Sequence, residues 1–316
     1  MTMPNFLMIG AAKSGTTTLY NYLKRHPQVY MSEPKEPYFF ATEGEEINFH
    51  GPGDNDYAHR EIVNNLKDYQ ALFDGVTDEI AIGEASAFYL YSKRAADNIK
   101  RYIPDVKLIV VLRNPVDRAY SSYKHMMRDM REKEATFEDA LVAETKRIQA
   151  GWYPIWHYTQ AGFYFENLNY YFQHFSPDNI QVYLNEDLRD DPARVASQVF
   201  DYLGVDLAYE ADTFNNYNVS YIPKNKALQN ARKFLLTPNN PVKEFLKPLL
   251  PRALRQQMGQ AATNFIDRVN VKDESISTET RQALIDVFAS DIEQLQDLIN
   301  RDLSHWLTVK ENRSSS

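Results

Sequence analysis

A lysine, two glycines and a run of hydroxyls stand near the start of this chain at a spacing that binds an anion. Gly10 and Gly15 are separated by four residues, and the segment Gly10-Ala11-Ala12-Lys13-Ser14-Gly15-Thr16-Thr17-Thr18 joins an apolar run, Phe6 to Ile9, to a helical pattern. Backbone N–H groups of such a loop, backed by the positive end of a helix, hold a phosphate-type anion, and Thr hydroxyls donate to its oxygens. The spacing is that of a P-loop, yet Thr16 stands where the nucleotide-kinase pattern has Lys. The cation has moved into the loop as Lys13. The other reading is a Ser/Thr-rich turn before a helix, but the strand ahead and the helix behind supply the context that a phosphate loop requires.

The elements that must position this loop alternate. Leu19, Tyr22 and Leu23 share one helical face, which His26-Pro27 ends. Ile80 to Ile82, Lys107 to Leu112 and Ile180 to Leu184 read as strands, the second buried by its unbroken apolar content. Helices are expected over 92–101, from Pro115 onward, over 136–148 and 162–175, from Asp191-Pro192 to near Gly204, and from Ser277. The fold class is α/β: a P-loop-type three-layer fold with a central, mainly parallel sheet flanked by helices. The 316 residues form one domain, 1–316. Residues 41–60 read as a polar loop, 211–251 as a long loop or lid over a nucleotide, and 311–316 as a disordered tail.

Composition narrows the function. A net charge of −8 argues against nucleic-acid partners and anionic membranes, which need phosphate neutralisation by Lys and Arg. The chain has no Cys, hence no thiolate nucleophile, disulfide or Cys-based zinc site, which fits a reducing cytoplasm. No His and carboxylate pair has metal-ligand spacing, so no metal is expected. The run Leu108 to Leu112 is too short for a membrane span, and the N-terminus lacks the pattern of a signal peptide. The expectation is a cytoplasmic protein.

The segment Lys13-Ser14-Gly15-Thr16-Thr17 resembles the 5′-phosphosulfate loop of PAPS-dependent sulfotransferases, and the likeness continues. Leu112-Arg113-Asn114-Pro115-Val116-Asp117-Arg118-Ala119-Tyr120-Ser121 is similar to the family's 3′-phosphate motif, in which an Arg after a strand and a Ser eight residues on grip that phosphate. Arg113 leaves a buried strand at its C-terminal end, where open α/β sheets bind ligands, and Ser121 comes round on the next helix. Softer matches run through Thr136 to Leu141, Gly162 to Tyr164 and Val182 to Leu188. The resemblance implies the donor co-substrate PAPS with product PAP, no metal, and a bacterial member nearest to the glycan-type enzymes.

That reading gives the other residues their expected roles. Lys13 stabilises charge on the leaving phosphate, and Thr18 joins the loop hydroxyls. Glu36, in Lys35-Glu36-Pro37-Tyr38-Phe39-Phe40, resembles the Glu base of glycan-type sulfotransferases, and its apolar neighbours predict a raised pKa. The competing reading pairs it with Lys35, and Glu33 is a substitute. Glu84 falls in the family's Glu-x-x-Pro region, with Ala85 and Ala87 in place of the usual Lys and Pro, which weakens a glycan acceptor; Glu84 either contacts the acceptor or braces the loop. His125 approaches the cleft or packs, and Trp152 walls an acceptor site or a satellite core. The resemblance puts Lys224 and Asn225 in a basic loop over the nucleotide. The acceptor is a small molecule, a glycan or a carrier-bound chain. The rivals are a P-loop kinase, disfavoured because Arg113 stands where a Mg²⁺-binding Asp is wanted, and a nucleotide-binding pseudoenzyme without the base.

Overall fold

The computed structural model describes residues 2–209, 220–236, 252–272 and 274–309. Of the expected lid, 211–219 and 237–251 lie outside these residues, as does the expected tail, 311–316. In chain order the elements begin β1 (Phe6–Gly10), α1 (Thr16–Leu23), β2 (Val29–Met31), α2 (Phe39–Thr42), α3 (Asp54–Glu61), α4 (Leu66–Ala71), β3 (Ala81–Ala85) and α5 (Lys93–Tyr102). They continue β4 (Lys107–Leu112), α6 (Pro115–Arg128), α7 (Phe137–Gln149), α8 (Tyr164–His174), β5 (Ile180–Leu184), α9 (Asn185–Asp190) and α10 (Pro192–Leu203). The remainder are β6 (Ile222–Pro223), α11 (Lys226–Leu236), α12 (Arg252–Val269), β7 (Val271–Lys272) and α13 (Thr278–Ile299).

Five strands pair in the order β2-β3-β1-β4-β5, every pairing parallel. Alternation along the two central strands sends side chains to opposite faces. Leu7, Ile9, Leu108, Val110 and Leu112 join one core with α5, α6, α8 and α13, through Ile99, Val116, Leu168 and Phe288. Phe6, Met8, Ile109 and Val111 join the other, with Leu19 and Leu23 of α1 and Val195 and Val199 of α10. Both faces are covered, as an all-parallel sheet requires. After β1 the chain runs out to β2 and β3 on one side, then crosses to β4 and β5 on the other. The loops following β1 and β4 therefore diverge, which opens a crevice at the C-terminal strand ends.

Side-chain caps set several helix starts. Asn114 accepts from Val116 and Asp117 N–H with Pro115 behind it, and Ser92, Thr136, Asp191 and Ser277 cap α5, α7, α10 and α13. Each such cap contributes about 1 kcal/mol.

Two expectations need correction. The stretch 41–60 is not all loop, since α3 begins at Asp54 after Gly53 in the left-handed conformation. Within 211–251, residues 226–236 are helical, with the Asn225 side chain accepting from Ala227 and Leu228 N–H at the start.

Candidate functional site

The crevice is a cleft of about 640 Å³. Its floor is the turn from β1 into α1. A Cβ on Gly10 would come within 2.7 Å of Leu90 Cβ, so only glycine lets the end of β1 approach that segment. Gly15 adopts φ 100° at the N-cap of α1, where a Cβ would meet the Asn185 amide at 3.0 Å. Two outside groups hold the loop: Arg113 Nη1 donates to the Lys13 carbonyl (3.2 Å) and Asn185 Nδ2 to that of Ser14 (2.9 Å). The α1 N-terminus has no side-chain cap, and Thr16, Thr17 and Thr18 of its first turn line the cleft. Ser14 is fully buried beneath.

α6 forms one wall. Ser121, Lys124 and His125 fall on one helical face and all line the cleft. Arg113 lines it from the end of β4. His125 Nδ1 lies 3.2 Å from Lys13 Nζ and 3.0 Å from Arg128 Nη2, and Nε2 lies 3.4 Å from Asp129. Two cationic donors on Nδ1 make it an acceptor, which leaves the proton on Nε2 toward Asp129. Burial and the charges of Lys13 and Arg128 hold the imidazole well below its usual range, so it is neutral. Burial, with Arg128 next, brings Lys13 down to about 7.

Glu36 stands on the opposite wall. Its backbone takes φ 70° and its N–H donates to the Ala85 carbonyl (2.9 Å). Lys35 Nζ is 2.5 Å from Oε1, and the hydroxyls of Tyr38 and Tyr57 donate to Oε2 at 2.7 and 3.3 Å. Burial pushes this carboxyl up, but Lys35 and the two hydroxyls outweigh it, so it lies below the usual range. The expected upward shift is thus reversed. The apolar neighbours are present, and the ammonium one residue away overcomes them. Glu33, the substitute, is exposed and pairs with Lys24.

Taken together, Lys13, Lys35, Arg113, Lys124 and Arg131 line the cleft against Glu36, Glu61 and Asp129. An excess of cations in one crevice of a chain with net charge −8 marks an anion site.

The family model described as a sulfotransferase domain matches residues 3–272. The chain belongs to the sulfotransferase family. A solved sulfotransferase from Alicyclobacillus acidocaldarius superposes with TM-score 0.75 at 31% identity, covering 98% of this chain and all of that one. Human bifunctional heparan sulfate N-deacetylase/N-sulfotransferase 3 is 30% identical over 68% of this chain and 24% of its own length. Human heparan sulfate glucosamine 3-O-sulfotransferase 3B1 is 30% identical over 64% of this chain and 46% of its own. The chain therefore spans about a quarter to a half of the length of these curated relatives.

Within this member of the family the remaining expected residues fall outside the cleft lining. Glu84 is fully buried behind Glu36: Ser86 Oγ donates to its Oε2 (2.8 Å), and Ser86 Oγ in turn accepts from Tyr38 N–H (3.1 Å). It braces the turn rather than facing an acceptor. Burial raises its carboxyl to about 7 against the pull of the Tyr89, Ser86 and Tyr69 hydroxyls. Trp152 packs edge-on against Trp156, ring centroids 5.0 Å apart, beside Arg147; its neighbours Tyr153 and Ile155 line the cleft instead. Lys224 and Asn225 are tied to Asn270, the first through its N–H to the Asn270 carbonyl (2.9 Å), the second through its N–H to Oδ1 (2.7 Å). Neither lines the cleft, although Ser220, at the start of the same segment, does.

Sequence reasoning passed over Lys124, Asp129, Arg131, Tyr57 and Glu61. Lys124 shares its helical face with Ser121 and His125, a signal present in the spacing. Tyr57 and Glu61 sit on α3, which a buried anchor holds in place. Asp54 accepts from Tyr153 N–H (2.9 Å) and Trp156 Nε1 (3.0 Å) and pairs with Arg131.

Proposed function

We propose that the chain transfers a sulfuryl group from PAPS to an acceptor hydroxyl or amine, without a metal, with Glu36 as the general base. The observation that carries the reading is the convergence, in one cleft, of an uncapped helix start, separated Arg and Ser anion ligands, and a carboxylate across from Lys13. The residues fit such a donor: the cleft holds five Lys or Arg side chains against three carboxylates.

In this scheme the N–H groups of Gly15, Thr16 and Thr17 and the hydroxyls of Thr16, Thr17 and Thr18 hold the 5′-phosphosulfate end, with Ser14 buried beneath them, and Arg113 with Ser121 holds the 3′-phosphate. The donor supplies the sulfuryl group. Lys13 stands as a point charge beside the phosphate that departs, held by the neutral His125, and a bound anion raises its pKa and keeps it protonated. Glu36, ionised at neutral pH, accepts the acceptor's proton, with Tyr38 and Tyr57 fixing the direction of its lone pairs. The acceptor enters between Glu36 and the wall made by Tyr57, Phe88, Tyr153 and Ile155. Lys224 and Asn225 take no part in this scheme.

The test is Glu36→Gln, which keeps shape and removes the base. Transfer from labelled PAPS should fall by at least about a hundredfold, the usual worth of a positioned base, while PAP affinity stays within a few-fold. A fully active Glu36→Gln protein would sink the base assignment.

A further inference from the structure

The two halves of the cleft differ in how their charges are committed. On the donor half, Arg113 and Lys124 have no carboxylate ion pair among the described residues, so they are available to a ligand's phosphates. On the acceptor half, the cations are already neutralised within the protein. Lys35 pairs with Glu36 at 2.5 Å, and Arg131 pairs with the buried Asp54 while donating through Nε to the Pro52 carbonyl (2.6 Å). Asp129 is likewise taken, by Arg128 Nε at 2.9 Å.

Glu61 is the exception. It lines the cleft from the last turn of α3, one turn beyond Tyr57, and among the described residues it has neither an ion pair nor a side-chain hydrogen bond. Beside it the wall is aromatic: the Tyr57 and Tyr153 rings lie 5.6 Å apart, and Tyr153 and Phe88 5.5 Å. A polyanionic acceptor needs uncommitted cations here and would meet an uncommitted carboxylate. A ring finds apolar contact at the half-buried Tyr57 and at the edges of the buried Tyr153 and Phe88, and an ammonium or hydroxyl beside it finds an acceptor oxygen.

We infer that the acceptor is a ring-bearing molecule, neutral or carrying an amino group, and that Glu61 selects it against anionic acceptors. This rests on the sulfuryl-transfer reading above. It sets the chain apart from the relatives whose names specify heparan sulfate.

Three probes with one aryl ring and one sugar frame isolate the charge: 4-methylumbelliferyl β-glucosaminide, β-glucoside and β-glucuronide. Each is offered with PAPS for transfer, and each is titrated into the PAP-loaded protein so that binding is read even where turnover is slow. The glucuronide should be about tenfold worse than the other two, as one like charge at close range in a partly solvated cleft implies. Glu61→Gln should erase most of that gap, and Glu61→Lys should reverse it, each ratio taken against the glucoside as internal reference at saturating donor. Equal use or binding of the glucuronide by the unmodified protein overturns the inference, as does an unchanged ratio in Glu61→Lys or binding of none of the three. Failure to bind PAP at all points instead to the sulfuryl-transfer reading, so the two failures are distinct.

Discussion

Lys13 takes positive φ (69°), and its amine is buried against His125 and brought to about 7, the opposite of what an exposed lysine shows. A lysine brought down this far gives up its proton near neutral pH, and a bound anion favours its protonated form. PAP binding should therefore take up a proton above pH 7, and its affinity should fall as pH rises, by up to about tenfold per unit. The sign follows from the direction of the shift: the tight-binding form is protonated and is lost as pH climbs through the free-protein value. Titration calorimetry in two buffers of different ionisation enthalpy measures the proton count. Affinity independent of pH from 6.5 to 9 would show that Lys13 does not touch the anion. Glu36 marks the limit of reading single residues from sequence. Its neighbours Tyr38 to Phe40 predict an upward shift, but its partners include Tyr57, 21 residues on, whose hydroxyl reaches it only once α3 has folded back.

Among the elements, those with a clear period were legible. The β-rich run of β4, the Asn114-Pro115 start of α6 and the Asp191-Pro192 start of α10 carry their signals within a few residues. β2 has three residues, too few to show a period, and it is placed by pairing with β3. α3 has no apolar stripe; its position comes from Asp54, whose partners lie on the segments 131 and 153–156, remote in sequence. The β3–Glu36 brace depends on Glu84 at the same scale. With its pKa raised from 4.5 to about 7, the folded state holds a proton that the unfolded chain releases between those values. Glu84 thus contributes stability that is complete below about pH 4.5 and is lost as pH rises through about 7. Glu84→Gln, neutral at every pH, should escape that loss. Its stability relative to the unmodified protein should grow between pH 5 and 8 by on the order of 3 kcal/mol. Thermal unfolding of both proteins across this range measures it, and parallel pH profiles would refute the buried, protonatable Glu84.

For the molecule as a whole, the α/β order was legible because buried parallel strands and amphipathic helices have different periods. What the order does not contain is which loops meet. The crossing from β3 over β1 to β4 brings residues 13, 36, 113 and 125 to one crevice, and that follows from strand pairing. The same is true of its charge: a chain with net −8 collects its cleft cations from four separate segments. The central claim, a metal-independent site for a 3′-phosphorylated donor, is tested most directly by calorimetric titration with PAP and, separately, with ATP plus Mg²⁺. The account predicts PAP binding that needs no metal and weakens by about tenfold or more in Arg113→Ala, as loss of a charge-assisted phosphate contact entails. Binding of ATP with Mg²⁺ and indifference to PAP would contradict it.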